Sequence, residues 1–199
     1  MKNIFKSLLY TSLILIVACN NGKKAGEEFS AIELNKDTLT EVSAKDSSLI
    51  LVNLLIEPNQ FYGIKLQDAF LELQKKYPGR LAKGIKKTGE GSFQIYTVNG
   101  ADGSLLAHIY PDQKDQKLVG QIEIVSPNAK TRNGLKIGNT FKDLENKEGE
   151  VEVHGSEIEG RTYAGKDGIY YRLAMNHFFY GLDKSSIKPD VKIIEIVIR

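Results

Sequence analysis

The stretch Gly63-Ile64-Lys65-Leu66-Gln67-Asp68-Ala69-Phe70-Leu71-Glu72-Leu73 recurs as Gly134-Leu135-Lys136-Ile137-Gly138-Asn139-Thr140-Phe141-Lys142-Asp143-Leu144, at a constant offset of 71. Further on, Gly120-Gln121-Ile122-Glu123-Ile124-Val125 matches Lys192-Ile193-Ile194-Glu195-Ile196-Val197 at an offset of 72. Between these anchors, Glu90-Gly91 with Tyr96 answers Glu159-Gly160 with Tyr163, and Asp102-Gly103 answers Asp167-Gly168. The offsets drift there, as loops allow. Several matches in the same order read as two copies of one unit.

Each copy carries the same parts. Leu66, Phe70, Leu73 and Tyr77 recur at helical spacing, as do Ile137, Phe141 and Leu144. The matched Asp68 and Asn139 are both favourable helix N-caps. Pro78-Gly79 ends the first helix and Gly149 the second. Strand-like runs follow at residues 92–98, 104–110 and 118–125, then at 151–158, 168–175 and 191–198. Residues 99–103 (NGADG) read as a hairpin turn. The expected fold class is α+β: two tandem copies of a helix plus antiparallel strands, with helices packed on one face of a sheet. Within the strands, Ile122, Ile124, Ile194 and Ile196 are expected to point inward, and Glu123 and Glu195 to the solvated face.

The expected domain boundaries are residues 1–18 for a signal peptide, 19–48 for a polar tether, 49–126 for the first repeat and 127–199 for the second. The second repeat opens the body's clearest motif, GLKIGNTFKDL after Ile124-Val125-Ser126-Pro127. With its tandem organisation, the body resembles the beta-lactamase inhibitor protein fold and the small envelope lipoproteins of the outer-membrane assembly type. It is also similar to a family of bacterial lipoproteins of unknown function that share a strand, a loop and a Gly-x-x-x-Gly start to a helix. These resemblances imply fold and envelope location, and no catalytic residues. The first copy departs from the motif, with Gln67 where the second has Gly138.

The N-terminus reads as an export signal. Lys2 and Lys6 precede a mostly apolar run from Leu8 to Val17, too short for a bilayer that needs roughly 20 apolar residues. The run closes on Ile16-Val17-Ala18-Cys19, which resembles the bacterial lipobox. That resemblance implies cleavage before Cys19 and acylation of its sulfur and new amino group, so membrane lipid is an expected partner. Two or more acyl chains hold durably where one holds marginally. Asn20, where an aspartate would retain the protein at the inner membrane, agrees by analogy with an outer-membrane location facing the periplasm. From Asn20 to Ser48 the chain is polar and reads as a tether. Residues 49–56 (LILVNLLI) then read as a strand covered on both faces.

Removing the signal takes Lys2 and Lys6 away, so Lys+Arg falls from 27 to 25 against 25 Asp+Glu. The mature chain is near neutral, and no basic surplus is left to attract nucleic acid. The chain has a single cysteine, so no disulfide is available within it. His108, His154 and His177 share no metal-ligand spacing. There is no Gly-x-Ser-x-Gly elbow and no phosphate loop, since Gly134-x-x-x-Gly138 lacks the lysine-serine ending. No cofactor is expected, and the chain is read as not an enzyme.

Aromatic residues supply the surface hint. Phe178-Phe179-Tyr180 sits in a long insertion of the second copy, about residues 175–190, with Tyr170-Tyr171 close by in sequence. These rings either fill the core of the second copy or form an exposed loop that binds an envelope protein partner. The functional expectation is a membrane-anchored envelope lipoprotein acting as a non-catalytic protein-binding or structural module. The alternatives are an inhibitor-like module against a hydrolase and a small-ligand-binding or cryptic hydrolase domain. A pocket around His154 or His177 would favour the last.

Overall fold

The computed structural model describes residues 54–199. The expected signal segment, Cys19, the expected tether and residues 49–53 lie outside the described residues. Among those described, 46% are in strands and 12% in helices, so the fold is mostly β and the expected α+β class is corrected. Part of the reason is two strands beyond those expected, Leu81–Thr88 and Arg161–Lys166, and part is two turns that shorten the helices. Gln67 and Gly138 adopt positive φ (67° and 94°), so neither Leu66 nor Ile137 joins a helix. The helices begin only at Phe70 and Phe141 and run Phe70–Lys76 (α1) and Phe141–Glu148 (α2), seven and eight residues. They contribute Phe70, Leu73, Phe141 and Leu144 to the core.

Asp68 and Asn139 are not the N-caps either. The caps are Ala69 and Thr140, and only Thr140 accepts through its side chain, within a capping box with Asp143. Asp68 and Asn139 instead close the preceding turns. Lys65 N donates to Asp68 Oδ2 at 2.8 Å, and Lys136 N donates to Asn139 Oδ1 at 2.9 Å.

A small sheet forms from Leu55–Glu57 (β1), Gln60–Phe61 (β2), Ile64–Lys65 (β3) and Lys130–Thr131 (β8), in the order β3-β2-β1-β8. The large sheet has eight strands among the described residues. They are Leu81–Thr88 (β4), Gly91–Asn99 (β5), Leu105–Pro111 (β6), Val119–Ile124 (β7), Glu152–His154 (β9), Arg161–Lys166 (β10), Ile169–Asn176 (β11) and Ile193–Ile198 (β12). Their order is β4-β5-β6-β7-β12-β11-β10-β9, antiparallel throughout. The two runs of four strands meet at β7–β12, where Ile124 faces Ile196, Glu123 faces Val197 and Ile122 faces Ile198.

One face of this sheet joins the apolar core: Ile109, Ile122, Ile124, Tyr171, Leu173, Ile196 and Ile198 cluster with Ile56, Phe61 and Ile64 of the small sheet. Phe70 of α1 stacks on Tyr96 with ring centroids 3.9 Å apart. The other face is buried near the seam as well, and it carries charge. There the expected orientation is corrected: Glu123 and Glu195 are 2% and 6% exposed, whereas Ile194, at a register shift in the β11–β12 pairing, is exposed. The β4–β5 hairpin curls over this second face. Lys86 of β4 pairs with Glu123 of β7, and Gly89 N donates to Glu159 Oε1 at 2.8 Å.

Candidate functional site

The connection from β11 to β12 begins with His177-Phe178-Phe179-Tyr180-Gly181, and its backbone is tied to the segment that precedes β10. His177 N donates to Gly160 O at 2.7 Å, and Gly155 N donates to Tyr180 O at 3.1 Å. The approach requires glycine. A Cβ on Gly155 would lie 2.2 Å from Phe179 O, and one on Gly160 would lie 2.7 Å from the Phe178 ring. His177 Nε2 and Gly181 O, 2.8 Å apart, close the loop from within.

With its backbone pinned, the loop turns its rings outward. Phe178, Phe179 and Tyr180 are 54%, 71% and 70% exposed. These three rings are therefore exposed rather than part of the core, which Tyr171 enters. Tyr180 is the outer member of a stack. Its ring lies 5.4 Å from His154, which lies 5.6 Å from Tyr163 and meets Tyr170 edge-on at 6.0 Å. The Arg199 guanidinium covers Tyr170 at 4.3 Å and Tyr163 at 5.5 Å, and it donates to His154 Nε2 at 3.1 Å. Burial, and then the Arg199 charge, lower the His154 pKa, which suits a neutral imidazole that accepts this bond.

A second constellation lies at the strand seam. Glu123 receives Lys86 Nζ, His108 Nδ1 at 3.0 Å and the Tyr110 hydroxyl at 2.8 Å. Burial alone would push its carboxyl up, but these bonds and the Lys86 charge outweigh it and hold the group at about 2. Because the carboxylate is an acceptor, His108 carries its hydrogen on Nδ1. Glu195 is less well served. Its Oε2 faces Arg172 at 3.4 Å, and its buried Oε1 has no hydrogen-bond partner among the described residues. Burial, then the Glu123 charge, raise its pKa. Tyr110 and Tyr163 are raised too, each first by burial and then by a neighbouring glutamate.

This cluster escaped the sequence reading, although a signal was present. Each glutamate interrupts a nearly continuous apolar run, and such runs mark strands buried on both faces.

A cavity of about 210 Å³ opens between the small sheet and β10–β11, lined by Ile56, Glu57, Arg132, Glu148, Lys166 and Tyr171 among others. Neither His154 nor His177 lines it. Its polar groups satisfy one another: Arg132 pairs with Glu57 at 3.1 Å, Lys166 Nζ donates to Glu148 O at 3.2 Å, and Asn133 Nδ2 donates to Glu148 Oε2 at 3.2 Å. No group of three or more metal-ligating side chains gathers among the described residues, and none of the described helices is long and apolar enough to cross a membrane. Cys19 lies outside the described residues.

No protein-family model matches the chain, and no curated protein does. Among solved structures, the crystal structure of the uncharacterized protein YfeY from Escherichia coli is similar over 68% of this chain and 92% of that chain, with 17% identity and a TM-score of 0.46.

Proposed function

We propose that this chain is a membrane-anchored envelope lipoprotein that acts as a non-catalytic protein-binding module. Acyl chains on Cys19 hold it to the membrane, on the periplasmic side of the outer membrane, and Phe178, Phe179 and Tyr180 meet an apolar surface on an envelope protein. The observation that carries the reading is the exposure of three consecutive rings on a loop whose backbone is fixed by neighbouring glycines. Aromatic anchors on a pre-ordered loop lose little conformational entropy on binding.

The duplicated origin of the body belongs to the same proposal. In its support, the residues matched by sequence, Ile124 and Ile196, lie directly opposite each other across β7–β12, which is where a local twofold axis would pass. Equivalent bonds recur about it: Lys76 Nζ donates to Gly63 O at 2.8 Å, and Lys147 Nζ donates to Gly134 O at 3.2 Å.

Crosslinking in intact cells followed by pull-down tests the docking reading. Phe178→Ala combined with Phe179→Ala is expected to leave the melting temperature within a few degrees and to remove the crosslinked partner. Undiminished capture by a folded double variant would overturn the docking surface. Anchoring is tested separately by Cys19→Ala, which is expected to move the protein out of the membrane fraction. Retention there would overturn the anchor.

A further inference from the structure

The outer edge of β4 is a second place where this chain is equipped to meet another protein. Among the described residues, β4 is the outermost strand of the large sheet, and it is eight residues long. Two observations orient its backbone. Asn99 N donates to Arg80 O at 2.9 Å, and Thr88 pairs with Gly91 around the two-residue turn Gly89-Glu90. Both place residues 82, 84, 86 and 88 in the hydrogen-bonded pairs with β5. The N–H and C=O groups of Leu81, Lys83, Ile85 and Lys87 therefore point away from the sheet. The opposite edge differs: β9 has three residues, and His154 there is bridged by Gly181 of the aromatic loop.

Free edges template strand addition, and lysines on them suppress pairing with like edges. Lys83 and Lys87 stand two residues either side of Ile85 on one face of β4; all three are exposed, Ile85 by 71%. Lys86, on the other face, is already engaged by Glu123. A second copy paired antiparallel on this edge would set lysine against lysine, which is unfavourable. Charge complementarity selects the opposite occupant. The edge is also held in place before any partner arrives, by the Lys86–Glu123 pair and by the Gly89–Glu159 bond.

We propose that the outer edge of β4 accepts an extended acidic segment of a protein partner as an added strand, with carboxylates at alternate positions meeting Lys83 and Lys87 around Ile85. This inference does not depend on the aromatic loop.

The test uses the folded protein and a capped synthetic peptide alternating glutamate with valine, read by amide hydrogen exchange and by titration. Binding is expected to slow exchange at Lys83, Ile85 and Lys87. Ile85→Pro deletes an outward N–H and no bond to β5, and it is expected to weaken binding about tenfold. Lys83→Glu with Lys87→Glu is expected to lose the glutamate peptide and to gain its lysine counterpart. Should Ile85→Pro fail to fold, this charge swap decides alone. Unchanged exchange at the three amides, indifference to the charge swap, or protection of the same amides by dimerisation without peptide would each overturn the proposal.

Discussion

Glu123 and Glu195 sit diagonally across the seam, and their surroundings drive their carboxyls in opposite directions. Three donors converge on Glu123, so Glu123→Gln leaves Lys86 without its buried counter-charge and is expected to cost about 3 kcal/mol in urea unfolding at pH 7. Glu195→Gln is expected to cost less than Glu123→Gln, because Glu195 has one long contact, to Arg172 at 3.4 Å, and an unpartnered oxygen. The pH signs follow from the shifts. The Glu123 contribution is fully present above its ordinary value of 4.5 and is lost as pH falls from there towards 2. For Glu195, raised in the fold, stability is fully present below 4.5 and is lost as pH rises through its folded value. Urea midpoints at a series of pH values should show that second loss vanish in Glu195→Gln and persist in the parent. Neither role was legible from alternation alone. In a two-sided strand, both faces are interior, and a glutamate between isoleucines signals a partner across the sheet as readily as solvent.

The two turns before α1 and α2 share a geometry but not a sequence. At the positive-φ position the second has Gly138, at no steric cost, whereas the first has Gln67. Gln67→Gly is expected to raise stability by about 0.5–1 kcal/mol in thermal unfolding. This gain is reduced by loss of the long contacts from Gln67 Nε2 to Asp112 at 3.3 Å and Val119 O at 3.4 Å. A drop in melting temperature would show that those contacts outweigh the backbone strain. At the caps, Thr140→Ala should cost about 1 kcal/mol, because it breaks a capping box for which Ala69 offers no equivalent. Element identity was legible wherever a segment had one apolar face. Phe70 with Leu73, Phe141 with Leu144, and β5, β6, β7, β11 and β12 were all found close to their observed limits. The strands β4 and β10 were missed. In β4 (LAKGIKKT) neither face is fully buried, and in β10 (RTYAGK) the buried positions include Thr162, Ala164 and Gly165, which lack large apolar side chains. Those two strands are what turn an expected α+β body into a mostly β one.

Across the described body, three residue pairs join the two runs of strands, and Ile124 and Ile196, which form one of them, are fully buried. Ile196→Ala is expected to cost about 3 kcal/mol and to leave a single transition by both near-UV and far-UV signals. Separate melting of the two runs would show that the shared core does not couple them. The aromatic loop could be located from sequence, but its exposure could not, because exposure depends on Gly155 and Gly160 admitting the loop backbone from a segment far away in the chain. The small sheet has a mechanical consequence. β1, which follows Leu54, lies between β2 and β8, antiparallel to one and parallel to the other. A load applied at Leu55 along the strand axis is expected to be resisted in shear by the ladders on both sides, rather than by peeling. Thr131, the β8 partner of Ile56, is itself buried, so such a load would be shared with the core rather than held by an isolated hairpin.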